Sequence, residues 1–287
     1  MKRLQDRVAV ITGGGRGIGA TIALHFAREG AHLVLASRTA SELEQVAERC
    51  RHVGVEVLSL PTDVSDRKQI QGMIETTLAQ FSNVDILVNA AGIYGPIGPL
   101  VDVDAEHWVR ALHVNLLGTL YSCQAVLPGM IRARRGKIIN FSGGGAAAPL
   151  PCFSAYGVSK AAVVRLTETL AEETREYAID VNAIAPGAVD TRLQDEVLAA
   201  GERAGKLYDQ IRKLRETGAG GTPPDRAADL AVFLASDDSN GLTGKLISAP
   251  HDPWPDWVGK GAELSASPMF TLRRVDPFTL KPLIRKL

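Results

Sequence analysis

The chain is poor in cysteine, has no surplus of charge of either sign, and lacks any long apolar run. Each shortage excludes something. Cys50, Cys123 and Cys152 are odd in number and widely spaced, with no CxxC pair and no Cys/His cluster. A disulfide framework and a zinc site are therefore not expected; three thiols in a reducing compartment are. Lys plus Arg and Asp plus Glu both number 32, so the formal net charge is zero. Broad attraction to nucleic acid or to an anionic membrane is not expected, and little self-repulsion opposes self-association. The basic start Met1-Lys2-Arg3-Leu4 leads into an apolar stretch of only Val8 to Ile11, too short for a signal-peptide core. No run of about 18 apolar residues occurs, so no spanning helix is expected, and the cytoplasm is the default location. His107 and His113 are six apart, on opposite faces of a helix, so no metal site is expected.

What is present is the composition of one large α/β domain: 287 residues, 45% hydrophobic and 22% charged. Short β-branched runs at Val8–Ile11, Leu33–Ala36, Val55–Leu60, Val84–Val88, Lys137–Phe141, Val181–Ile184 and Lys245–Ser248 read as strands. Between them, Ala20–Glu29, Ser41–Arg51, Gln69–Gln80, Ala105–Ile131 and Ser154–Tyr177 read as helices. Continuous apolar strands alternating with helices predict a doubly wound Rossmann-type parallel sheet covered on both faces. One domain is expected over residues 1–250. Beyond it Pro250, Pro253, Pro255, Trp254 and Trp257 cluster, and residues 251–287 have no strong period. That tail is expected to pack on the domain or on a neighbouring subunit, with the tryptophans as packing or interface anchors rather than pocket walls.

The first strand runs into Thr12-Gly13-Gly14-Gly15-Arg16-Gly17-Ile18-Gly19. The spacing is GxxxGxG rather than GxGxxG, but the physics is shared. Gly13, Gly15, Gly17 and Gly19 permit a tight strand-to-helix turn and close approach of a pyrophosphate, while the helix start supplies N–H groups and partial positive charge. The second strand ends Leu35-Ala36-Ser37-Arg38, with no acid to bind a ribose 2′-hydroxyl. Arg16, Ser37 and Arg38 suit a 2′-phosphate instead. NADP(H) is thus favoured, with NAD(H) left open; the alternative is that both arginines are solvated surface residues.

Tyr156-Gly157-Val158-Ser159-Lys160 places a phenol and an amine four apart, on one helix face. An ammonium beside a phenol lowers its pKa from about 10, making a general acid/base for a carbonyl that accepts hydride. With Thr12–Gly19, Asp63-Val64, Asn89-Ala90-Ala91-Gly92, Asn115, Tyr156/Lys160, and Pro186-Gly187 with Thr191, in that order over residues 5–250, the chain resembles the single-domain short-chain dehydrogenase/reductase family. The resemblance implies roles. Tyr156 would donate or accept the proton, and Lys160 would lower its pKa and hold nicotinamide ribose hydroxyls. Asn115 would hold a relay water. Asp63 and Val64 would contact the adenine, Asn89 would pack under its ribose, and Ile184, Pro186, Gly187 and Thr191 would border the nicotinamide, with Ile18, Ala90, Ala91, Gly92 and Val189 as further cofactor contacts. Asn89 and Asn115 have a plainer reading, as partners of buried backbone.

Two departures stand out. The family usually has a serine thirteen residues before the tyrosine; here that position is Gly143, and the serine is Ser142. Three glycines follow Ser142, so a shift that brings Ser142 onto the substrate oxygen is expected, a backbone N–H being the alternative. The family also commonly ends soon after its last strand, and this chain continues. Residues 192–222 read as a charged helical lid, compatible with a phosphorylated or nucleotide-sugar substrate, although a solvated helix face is the default. Cys152, close to Tyr156 in sequence, is placed toward the pocket. A small-molecule carbonyl or alcohol substrate follows, and, by analogy with relatives, a homo-oligomer built on the two long helices. The alternatives are a weakly catalytic NADP(H)-sensing regulator, favoured by Gly143 and the tail, and an epimerase or dehydratase, disfavoured by chain length.

Overall fold

A computed structural model describes residues 2–218 and 220–276. Seven parallel strands form one sheet: β1 (Val8–Thr12), β2 (His32–Ser37), β3 (Val57–Pro61), β4 (Ile86–Asn89), β5 (Gly136–Phe141), β6 (Ile179–Ala185) and β7 (Leu246–Ser248), in the order β3-β2-β1-β4-β5-β6-β7. β1, β4 and β5 are buried at every residue, which is why they read as unbroken apolar runs rather than alternating ones. The chain reverses direction of travel across the sheet between β1 and β4, where Thr12 pairs with Ala36 on one side and Asn89 on the other. The strand ends on either side of that reversal frame the crevice where ligands bind in this architecture.

One face is covered by α1 (Gly17–Arg28), α2 (Ala40–Arg51) and α9 (Pro224–Ala235), whose Phe26, Leu43 and Phe233 are buried. The other is covered by α3 (Arg67–Phe81), α5 (Gly118–Ala133) and α6 (Ser154–Thr174), through Ile70, Met73, Val126, Met130 and Leu170. The segment expected as one helix from Ala105 is α4 (Ala105–Leu112), a π-helical turn at His113–Leu117, and α5, without interruption. By length and composition alone this 29-residue rod would pass for a membrane span. Its apolar side is accounted for by the sheet, against which Cys123, Val126 and Met130 are buried.

Two differences from the sequence reading have clear causes. The helix α9 carried no periodic signal because it is apolar nearly all round, with eight buried residues from Ala227 to Ala235; Pro224 at its first position marks its start. The charged segment after Thr191 is two helices, α7 (Arg192–Ala200) and α8 (Lys206–Thr217). Gly201 and Gly205 divide them, at φ 57°, ψ −136° and φ 58°, ψ −142°, a region open essentially to glycine alone.

The tail belongs to the same core as far as it is described. Trp254 and Trp257 are buried with α1 and α9; Trp254 Nε1 donates to Ala249 O at 3.1 Å, and Arg226 stacks over its ring at 4.7 Å. The N–H of Leu246 in β7 donates to Phe270 O at 2.8 Å. A short helix α10 (Gly261–Ala266) lies between. The remainder of the tail, 277–287, lies outside the described residues.

Candidate active site

The glycine turn stands where the chain reverses. Gly13 adopts φ +70°, and a Cβ there would lie 2.8 Å from Ala91 N; at Gly19 a Cβ would lie 2.3 Å from Gly13 O. Glycine is therefore required for β1, α1 and the β4 loop to meet. No side chain caps α1, and its first turn holds no acid. Its leading N–H groups and positive dipole end are free for an anion. These are the features a dinucleotide pyrophosphate needs, and the residues present fit one.

Around that turn lie the other expected cofactor contacts. Ser37 Oγ is buried without a hydrogen-bond partner among the described residues and would be 2.8 Å from a Cβ on Gly15. Arg38 is exposed and close enough to act on Asp63. Against the burial that raises it, hydrogen bonds from Ser65 and the Arg38 charge hold the Asp63 carboxyl below its ordinary value. Val64 packs on Gly118. Asn89 spends its amide nitrogen inside the sheet, on Asn140 Oδ1 at 2.9 Å and Cys123 Sγ at 3.6 Å, and its Oδ1 is buried without a partner among the described residues. Thr191 precedes α7, and its Cγ2 would be 3.4 Å from a Cβ on Gly17, so the loop after β6 reaches the glycine turn. Within that loop Gly187 (φ +82°) leaves room for Thr222 Oγ1, and Val189 O accepts from Gln194 Nε2 at 2.7 Å. Ile184 is buried in β6.

Tyr156 and Lys160 lie in the first turns of α6, both buried. Lys160 Nζ donates to Phe141 O at 2.7 Å and lies 5.7 Å from the Tyr156 ring centre. Burial pushes the phenol above its ordinary value, with Tyr94 adding to the effect, and pushes the amine down to about 8. The expected lowering of the phenol by the ammonium is thus reversed in these residues. Desolvation opposes both charges, and the amine is hydrogen-bonded to a carbonyl rather than to the phenol.

Asn115, fully buried on the π-turn, brackets the same space. Its Nδ2 donates to Ile93 O and Ser159 Oγ, and its Oδ1 accepts from Ile93 N, all at 2.9 Å. Ser159 Oγ in turn donates to Tyr156 O at 2.8 Å. Asn115 Oδ1 and Lys160 Nζ both face Gly92, 3.3 and 3.5 Å from where its Cβ would stand. Asn115 therefore clamps the β4 loop to the tyrosine helix, and Ser159, which sequence reasoning passed over, completes the clamp.

Gly143, not Ser142, abuts the phenol: a Cβ there would be 2.1 Å from Tyr156 Oη. Ser142 N continues the ladder to Ile184 O, and its Oγ is buried without a hydrogen bond among the described residues.

Over Tyr156 sits an apolar wall that the sequence reading missed. Tyr94 meets Tyr156 edge-on at 4.7 Å and Phe153 at 5.1 Å, and burial pushes the Tyr94 phenol up to about 12. Val197, Ile211 and Leu214 of the lid close against this group, together with Leu150 and Cys152. Cys152 Sγ would be 3.5 Å from a Cβ on Gly205. Several lid charges pair on the outer side: Arg215 with Asp195 and with Asp190 just before the lid, and Arg212 with Asp209, while Arg192 pairs with Glu42 of α2. These exposed pairs match the solvated helix face taken as the default for the lid, while the helices turn their apolar stripes to the site. Among the described residues no group of His, Cys, Asp and Glu could hold a metal.

Comparison with known proteins agrees with this arrangement. The family profile described as short chain dehydrogenase matches residues 7–201. A 3-oxoacyl-(acyl-carrier-protein) reductase of Thermotoga maritima is 33% identical over 251 residues, 85% of this chain and 96% of that protein. Among solved structures, NAD+-bound xylitol dehydrogenase superposes with a TM-score of 0.81 at 28% identity, over 86% of this chain and 98% of its own. A gluconate 5-dehydrogenase of Burkholderia cenocepacia, in complex with NADP and tartrate, gives 0.76 at 32% identity, over 86% and 95%.

Proposed function

Because the chain belongs to the short-chain dehydrogenase/reductase family of oxidoreductases, we propose that it transfers hydride between NADP(H) and a carbonyl or secondary alcohol borne on an apolar body. The observation that carries the reading is the convergence of Lys160 and the Asn115 clamp on Gly92, with Tyr156 on the same helix as Lys160 and its hydroxyl against Gly143. Bound nicotinamide would supply or accept the hydride. The protein's own residues do the rest. Tyr156 Oη is the proton donor to a carbonyl oxygen during reduction; burial keeps its proton on and opposes its release, so the nearby Lys160 ammonium has to offset that cost when the donor acts. Tyr94, Phe153 and the inner faces of α7 and α8 exclude water and favour apolar substituents. Arg38 and the partnerless Ser37 Oγ at the end of β2, with no acid in that position, support NADP(H) over NAD(H). The three free thiols suit a reducing cytoplasm. Exposed Leu100, Val101, Val109 and Val158 suit self-association.

The second reading, a nucleotide-sensing regulator, rests on Gly143 standing where relatives place a serine. Calorimetric titration with NADPH and NADH, followed by a ketone panel read at the nicotinamide absorbance band, separates the two. The expected result is tighter NADPH binding and oxidation on ketones with apolar bodies. Tyr156→Phe should keep NADPH binding and lower turnover about 10²–10⁴-fold. Binding without turnover on any carbonyl would favour the regulator, and binding of neither dinucleotide would overturn both.

A further inference from the structure

Three charged side chains from three elements meet at the mouth of the glycine turn. Glu42, in the first turn of α2, has Oε1 2.8 Å from Arg192 Nη1 and 3.6 Å from Arg16 Nη1. Its side chain is 22% exposed, against 55% for Arg16 and 68% for Arg192. The carboxylate is thus the least hydrated member of the group and depends most on its partners. Its place is defined by Gly15: a Cβ there would lie 3.3 Å from Glu42 Cβ and 2.8 Å from the partnerless Ser37 Oγ. Glu42 therefore stands beside the end of β2, where this fold reads the 2′ position of the adenosine ribose. Glu196, one turn along α7 from Arg192, is a second carboxylate within electrostatic reach of Arg16.

We infer that Glu42 is a specificity-determining residue that competes with a cofactor 2′-phosphate for Arg16, and that Arg192 sets the strength of the competition. The inference rests on the NADP(H) reading. A 2′-phosphate can take Arg16 only as Arg16 leaves Glu42. Arg16 holds the longer of the two ion pairs, so it is the one that re-pairs. Arg192 stays with Glu42 and offsets a carboxylate that would otherwise repel the incoming phosphate. Arg192, at the first position of the lid, thereby shapes cofactor choice from across the cleft. The same pair ties the lid's start to α2.

Binding, not turnover, tests this. Dissociation constants for NADPH, NADH, adenosine 2′,5′-bisphosphate and AMP would be measured by calorimetry for wild type, Glu42→Gln, Arg192→Gln and the double variant, with circular dichroism as the folding check. Glu42→Gln should favour the 2′-phosphorylated member of each pair by about two- to fivefold, the range set by solvent-accessible ion pairs. Arg192→Gln should disfavour it by a similar factor, and that loss should vanish when Glu42 is already Gln. A 2′-phosphate preference equal in all four folded proteins overturns the clasp while leaving the proposed function standing. Wild type that binds neither dinucleotide overturns the proposed function itself.

Discussion

Placing a side chain at Gly143 tests what sets the position of the tyrosine. The φ at 143 lies outside the left-handed region, so the cost of a substitution there is contact rather than backbone strain. A Cβ would stand 2.1 Å from Tyr156 Oη, 2.8 Å from Cζ and 3.0 Å from Cε1. Non-bonded carbon contacts settle near 3.5 Å, so the phenol must withdraw by about 1 Å or more, or the end of β5 must move. Tyr94 blocks retreat on one side, its ring 4.7 Å away, and Lys160 Nζ lies over the ring at 5.7 Å. Displacing a reacting group by about 1 Å costs on the order of 10²-fold in rate, and overpacking a filled site costs about 1–3 kcal/mol. Gly143→Ser and Gly143→Ala should both lose turnover by about that factor while retaining NADPH binding, since the glycine turn is untouched. The assay is kcat for a responding ketone, with the NADPH dissociation constant and urea unfolding measured on the same preparations. A Gly143→Ser protein as fast as wild type, or faster, would show that the backbone absorbs the side chain and would refute the reasoning.

Two further expectations follow from burial around the same site. Lys160 titrates near 8 in the folded protein against an ordinary value of 10.5, so between those limits the unfolded chain holds more protons than the folded one. Stability should therefore rise with pH across that window by an amount on the order of 3 kcal/mol, with the full penalty present at pH 7. Urea unfolding of wild type and Lys160→Met from pH 7 to 10 should show the difference between them changing in that direction, and a constant difference would count against the burial effect. Asn115→Ala removes three hydrogen bonds, two to Ile93 after β4 and one to Ser159 in α6, and should cost about 3 kcal/mol. A loss below about 1 kcal/mol in urea unfolding would mean that the clamp is not what holds Ile93 to α6.

The strands were legible because a parallel sheet buried on both faces writes itself as apolar runs, and the glycine turn because its spacing has a mechanical purpose. The helix α9 was illegible for the opposite reason: an all-round apolar helix has no polar face to mark its period. Tyr156 and Lys160 were visible as a pair, but their titration was not, since spacing says nothing about desolvation or about the Phe141 carbonyl that takes the amine. Tyr94, Phe153 and the lid's apolar stripes became a wall only through tertiary packing. The lid's conspicuous charges were legible as a solvated face, but their partners were not, since Arg192 reaches Glu42 of α2 and Arg215 reaches Asp190 before the lid. Glu42 escaped notice because both its partners come from other elements of the chain.

The hydrogen bond from Leu246 to the Phe270 carbonyl has a consequence for how copies of this chain can meet. An open sheet edge is a template on which a foreign strand can be laid. Here the chain doubles back along β7 and occupies the first available donor itself, while Lys245 Nζ fastens the returning segment at Ser267 O and Met269 O. On that side the sheet is finished by its own sequence. Strand-by-strand growth is closed there, and any assembly on that flank has to be made by side chains rather than by a shared backbone ladder.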